Sequence, residues 1–332
     1  MISKSNNNFF ILLCTICLLF FHQNESFAIT KKKLKIPIHR LAQASLVVDA
    51  NTGEVLHQLN ADKQLHPASL TKLMTCYIAF EAVRRGKLTF NTQLPVSKYA
   101  ASRPRTKLGL KAGNTISVKE AVLSLIVKSA NDSAVVLGEA IGKTESNFAR
   151  IMNKRAKELG MHNTNFVNAS GWHHPQQKTT AKDMAKMAIA LKRDFPEFYP
   201  LFSRTSFYYK STRHKGHNYV TESLHGAEGM KTGYTAKSGW NLVTTAKRGS
   251  KSLVGVVLGE HNAKVRDSKM ISLINHHFKG VQVLTKDGFD NDNNIKEIAT
   301  KITTKSKKNV LKVSATQPSL KKKRIPGLGS AA

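Results

Sequence analysis

Cysteine is scarce in this chain, with 3 in 332 residues. Cys14 and Cys17 lie in an N-terminal apolar run, so only Cys76 remains beyond it. That excludes a disulfide-stapled fold, and a lone cysteine on an apolar helix face reads as a core residue. Acidic residues are also few, 21 against 52 Lys and Arg, for a net charge of +31. Such a balance calls for an anionic partner: nucleic acid, an acidic membrane face or a charged polymer. No apolar run reaches the roughly 20 residues of a spanning helix. There is no glycine-rich phosphate loop or dinucleotide fingerprint. His173-His174 and His214/His217 lack a carboxylate or cysteine at metal-ligand spacing, so they read as loop histidines and no metal is expected. What is present is a hydrophobic content of 41%, enough for the core of one large domain or two small ones.

The N-terminus reads as an address. Lys4, the apolar run Phe9–Phe21 and the small residues flanking Phe27 in Ser26-Phe27-Ala28 form a secretory signal peptide over residues 1–28. Export to the periplasm or cell envelope follows, and an exported protein does not meet nucleic acid. Residues 29–43 are a basic lead-in, 44–280 a folded domain, and 281–332 a basic tail too polar to bury a core. Ile295, Ile298 and Ile302 share one helical face in that tail, which could contact an anionic membrane or envelope polymer.

Within the domain, two β-rich runs flank Asp49–Gly53 and predict a hairpin. A helix is expected from Ser69 to about Arg85, where Gly86 stops it. Residues 88–116 are mixed and loop-rich. Ser117-Val118-Lys119-Glu120 has the form of a capping box and opens a helix to about Lys128. After a break at Ser129–Asp132, helices are expected at Ser133–Ile141, Glu145–Leu159 and Ala181–Lys192. Strands follow at 240–248 and 252–260, then a helix over Lys264–Phe278. This order predicts an α+β fold whose N- and C-terminal segments share one antiparallel β-sheet flanked by helices.

Three short patterns carry chemistry. Ser69 and Lys72, at i and i+3 on a helix, are neighbours near its N-terminus, where backbone N–H groups are free. Desolvation or a second cation would depress the lysine pKa, and a neutral amine could take the serine proton. Taken alone, the pair is more simply a capping serine beside a lysine that packs its stem. Ser129-Ala130-Asn131 falls in the interruption between two helices, where a hydroxyl and an amide can both face a cleft. Lys231-Thr232-Gly233 precedes a strand, and Gly233 would remove bulk where a substrate backbone approaches. Each pattern is common alone; all three in this order are not.

With the stretches SLVVDANTGEVLHQLNADKQLHPASLTKLMT, FVNASGW and GMKTGYTAKSGWNLVTTAKR, the chain resembles the low-molecular-mass serine D-alanyl-D-alanine carboxypeptidases, a penicillin-binding protein family, from about Ala44 to Phe278. The resemblance implies a DD-peptidase/β-lactamase-like fold, with a mostly helical subdomain and the active site between it and the sheet. It implies Ser69 as nucleophile, Lys72 as general base and Ser129 in the proton path. Asn131 would hold the peptide, the N–H groups of Ser69 and Tyr234 would form an oxyanion hole, and Lys231, Thr232 and Gly233 would line the carboxylate end. Arg266 would bind the carboxylate, or else be an exposed arginine at a helix start. The implied substrate is the peptidoglycan stem peptide, with β-lactam antibiotics as inhibitors and no cofactor. A DD-endopeptidase would use the same residues, and a non-catalytic peptidoglycan-binding protein is the alternative of another class. A class A β-lactamase needs a glutamate after the second motif, and residues 163–172 have none.

Overall fold

The computed structural model describes residues 42–278. The expected signal peptide, most of the lead-in and the basic tail lie outside the described residues. The strands are β1 (Ala44–Asp49), β2 (Val55–Leu59), β3 (Gln93–Pro95), β4 (Thr115–Ser117), β5 (Ser206–Tyr209), β6 (Thr212–Lys215), β7 (Ala227–Thr235), β8 (Gly239–Arg248) and β9 (Lys251–Glu260). The helices are α1 (Lys72–Arg84), α2 (Lys98–Ala101), α3 (Val118–Leu123), α4 (Asn131–Gly142), α5 (Glu145–Glu158), α6 (Ala181–Asp194), α7 (Tyr219–Ser223) and α8 (Ala263–His277).

Five strands form an antiparallel sheet in the order β2-β1-β9-β8-β7. The expected sharing of one sheet by the two ends of the domain is realised by β1 and β9, from Ala44 opposite Leu258 to Asp49 opposite Leu253. Strand β9 is buried along nearly its whole length because both sheet faces are covered. On one face, Met270, Ile274 and Phe278 of α8 and the residue after it pack on Val47, Leu242, Leu253 and Val257. On the other, Leu46, Val48, Val243, Val254 and Val256 join the larger core shared with α1, α4 and α6.

Helix α1 is buried nearly all round, from Lys72 to Ala82, which is the signature of a central core helix. It is entered through a 3-10 turn, Ala68–Thr71, rather than starting as α-helix at Ser69. The capping box before α3 is present: Ser117 Oγ accepts from the Glu120 N–H, and Glu120 Oε2 accepts from the Ser117 N–H. Helix α3 then widens into a π turn over Ser124–Lys128 and stops at Ser129, whose φ is +62°. That left-handed residue turns the chain into α4.

The hairpin β5–β6 carries no sequence signature. Its turn uses Lys210 at φ +51° where Gly or Asn would be the usual choice. His214 lies in β6 and stacks on Phe207, so it is a strand residue and not the expected loop histidine. Among the described residues no helix is long and apolar enough to cross a membrane, and no cluster of His, Cys, Asp and Glu is arranged to hold a metal.

Candidate active site

The 3-10 turn places Ser69 at the edge of a cleft of about 270 Å³ between the helical part and strand β7. Lys72, one turn on, is fully buried. Its Nζ lies 3.0 Å from Ser69 Oγ, 2.7 Å from Asn131 Oδ1 and 2.5 Å from the carbonyl oxygen of Ser170. A neutral amine has two N–H groups and one lone pair. The amide and carbonyl oxygens take the two N–H groups, leaving the lone pair for the serine hydroxyl. Burial drives the Lys72 pKa well below the lysine range, and the cationic Lys231 adds to that shift. The buried lysine is therefore neither a packed stem nor a surface residue, and Ser69 makes no side-chain cap to the helix.

The second pattern forms the helical wall. Asn131 opens α4, its Oδ1 held by Lys72 and its Nδ2 donating to the Pro104 carbonyl at 3.0 Å. One Nδ2 hydrogen remains for a ligand. Ser129 lines the cleft, and its hydroxyl is buried with no hydrogen-bond partner. Buried hydroxyls are rarely left unsatisfied without a functional reason.

Strand β7 forms the facing wall. Lys231 is buried, its Nζ donating to the Thr232 carbonyl at 3.0 Å, and burial lowers its pKa to about 7, with Arg266 adding to the effect. Gly233 lines the cleft and also permits a close approach within the protein. A Cβ there would stand 3.0 Å from the Pro67 carbonyl oxygen and 3.1 Å from the Ser69 nitrogen, so strand β7 comes close to the turn that carries Ser69. Tyr234 follows, exposed, its ring 4.2 Å from that of Trp240. Arg266 lines the cleft from α8 and is buried, paired with Asp267 Oδ1 at 2.6 Å, which overturns the reading of an exposed helix-start arginine.

Several site residues had no sequence signal. The Ser170 carbonyl is backbone, and any residue type could supply it. It is presented by an Asx-type turn in which Asn168 Oδ1 accepts from the Gly171 N–H, while Gln177 braces the loop through the N–H groups of Val167 and Asn168. Gly171, at φ +81°, is required because a Cβ would strike the Ala68 carbonyl. His217, Trp172, Arg105, Thr106, Thr235 and Trp240 also line the cleft, whose lining contains no Asp or Glu. Glu158 pairs with Arg155 at the end of α5 and does not line the cleft.

Ser69 on its 3-10 turn, the desolvated Lys72 beside it and the buried Lys231 on β7 are the groups that a serine–lysine acyl transfer would need. The chain belongs to the D-alanyl-D-alanine carboxypeptidase family of peptidases, S11, whose pattern matches residues 30–262. It is 34% identical over 251 residues to D-alanyl-D-alanine carboxypeptidase DacC of Escherichia coli strain K12, covering 74% of this chain and 63% of that protein. The chain thus spans less than two thirds of that relative. Among solved structures it is similar to penicillin binding protein 5 from Haemophilus influenzae, at 33% identity and TM-score 0.69, covering 73% of this chain and 72% of that one. It is also similar to Penicillin-Binding Protein D2 from Listeria monocytogenes in its ampicillin-bound form. There the identity is 31% and the TM-score 0.63, over 72% of this chain and 97% of that one.

Proposed function

We propose that this protein is an exported serine D-alanyl-D-alanine carboxypeptidase that removes the terminal D-alanine from peptidoglycan stem pentapeptides. The observation that carries this reading is the desolvated Lys72 amine 3.0 Å from the Oγ of Ser69, which lines a cleft free of carboxylates. Ser69 Oγ attacks the carbonyl carbon between the last two D-alanines while Lys72 Nζ takes its proton. The Ser69 and Tyr234 N–H groups receive the oxyanion, a kind of contact worth about 3–4 kcal/mol per donor. The C–N bond breaks, and the departing amine receives the proton from Lys72 by way of the Ser129 hydroxyl. Water then attacks the ester, its proton passing to Lys72 and on to Ser69, and the shortened peptide leaves as a carboxylate.

Asn131 Nδ2 holds the peptide upstream of the scissile bond. Lys231, Thr232 and Arg266 face the terminal carboxylate. A β-lactam acylates Ser69 in the same way. No carboxylate lines the cleft to activate a deacylating water, so the penicilloyl-enzyme is expected to persist.

The test is intact-mass measurement of the mature protein after seconds and after an hour with benzylpenicillin, alongside D-alanine release from a pentapeptide. A prompt, slowly decaying adduct absent from Ser69→Ala, together with D-alanine release, is the expected result. Rapid drug destruction would instead mark a β-lactamase. Cleavage of cross-linked dimers without pentapeptide trimming would mark an endopeptidase, and no adduct at all a binding protein.

A further inference from the structure

The groups assigned to the reaction account for only part of the cleft lining. The chain has 2 tryptophans, and both line this cleft. Trp172 is 50% exposed on the loop that carries the Ser170 carbonyl, and Tyr234 is 51% exposed at the end of β7. Single exposed aromatics need no explanation, but two lining one groove, from a loop and from β7, mark a contact surface. Tyr234 lies against the Trp240 ring, and the Arg266 guanidinium lies 5.8 Å from the centre of that same indole, so this wall is a braced platform.

Arg105 stands on the helical lip. The backbone on either side of it is clipped down: the Pro104 carbonyl accepts from Asn131 Nδ2, the Thr106 carbonyl from the Asn131 N–H at 2.8 Å, and Thr106 Oγ1 donates to the Ser129 carbonyl at 2.9 Å. The guanidinium itself is exposed and has no hydrogen bond or ion pair among the described residues. A fixed backbone presenting an unpaired guanidinium beside a groove without Asp or Glu is built to meet an anion.

We infer that the rest of the lining is a subsite for the upstream part of the peptide, which takes a side chain whose aliphatic stem lies on Trp172 or Tyr234 and whose free carboxylate pairs with Arg105. This rests on the carboxypeptidase reading above, since it assigns the terminal carboxylate to Lys231, Thr232 and Arg266 on the other side. Arg105, next to Ser129 and Asn131, is then left for a second carboxylate on the acyl side of the scissile bond. The preferred substrate class is an anionic stem peptide carrying a long side chain that ends in a carboxylate.

The experiment uses two synthetic N-acyl tripeptides ending in D-Ala-D-Ala. They differ only in whether the upstream side chain ends in a carboxylate or its amide. The carboxylate peptide should have a KM about fivefold lower, as expected for a solvent-exposed charge pair, and the gap should shrink at high salt. Arg105→Gln should bring the ratio to one, while Arg105→Lys should keep most of it. Equal KM values in the native protein, or a ratio unchanged in Arg105→Gln, would overturn the subsite alone. D-alanine release from neither peptide would overturn the carboxypeptidase reading and the subsite with it.

Discussion

Asn241, near the start of β8, donates from Nδ2 to the Pro67 carbonyl at 3.1 Å, two residues ahead of Ser69. The same Nδ2 donates to the His66 carbonyl at 2.9 Å, and Oδ1 accepts from the Gly259 N–H at 2.8 Å. One buried amide thus ties the turn that carries Ser69 to two strands of the sheet. Replacing it with leucine keeps the volume and leaves buried backbone groups unpaired, a cost of roughly 3 kcal/mol. Asn241→Leu should lower the melting temperature by about 6–12 °C and slow penicillin acylation of Ser69; an unchanged melting temperature would show that the clamp contributes nothing.

Gly233→Ala tests the contact between β7 and the nucleophile's turn. The new Cβ meets two backbone atoms, the Pro67 oxygen and the Ser69 nitrogen, which cannot step aside as a flexible side chain would. Displacing the Ser69 N–H by even a fraction of an ångström misaligns the oxyanion site, so the second-order acylation rate with benzylpenicillin should fall about a hundredfold. Stopped-flow acylation measures this directly.

Ser129→Ala should separate stability from activity. The Ser129 hydroxyl is buried and unpaired, so its removal deletes an unsatisfied polar group. The unfolding free energy should change by less than about 1 kcal/mol. If the hydroxyl relays the proton to the departing amine, D-alanine release should fall by about 10² or more. Urea unfolding and D-alanine release on the same sample give both answers.

The buried lysines predict a pH dependence with a definite sign. Lys231 has its pKa lowered from 10.5 to about 7 in the folded chain, chiefly by burial. Below about 7 both folded and unfolded chains hold the proton. Between there and 10.5 only the unfolded chain holds it, so stability should rise with pH across that window. Lys72, also lowered by burial, acts in the same direction. Urea midpoints at pH 7 and pH 9 should show the rise, and Lys231→Met should remove part of it. Acylation should likewise climb with pH as Lys72 loses its proton and becomes a base.

Much of this protein was legible before folding, because local physics sets it. Turn residues at Asp49–Gly53 gave the β1–β2 hairpin, the Ser117–Glu120 pair gave the capped start of α3, and apolar periodicity and run length placed α1, α4, α5, α6, β8, β9 and α8 within a few residues. The order of the three motifs identified which serine and lysines to watch. Composition also showed that Cys76 belongs in the core, where it lies.

Tertiary structure decided the rest. Whether Lys72 is a snorkelling stem or a neutral base depends on Asn131 and Ser170, 59 and 98 residues away in the chain. Whether Arg266 is exposed depends on how α8 seats against the sheet, and the value of Gly233 depends on a turn from another part of the chain. Desolvation and close approach are properties of a packed interior. Residue spacing names the groups, but only the fold sets the distances and the dielectric that the proposed nucleophile and base require.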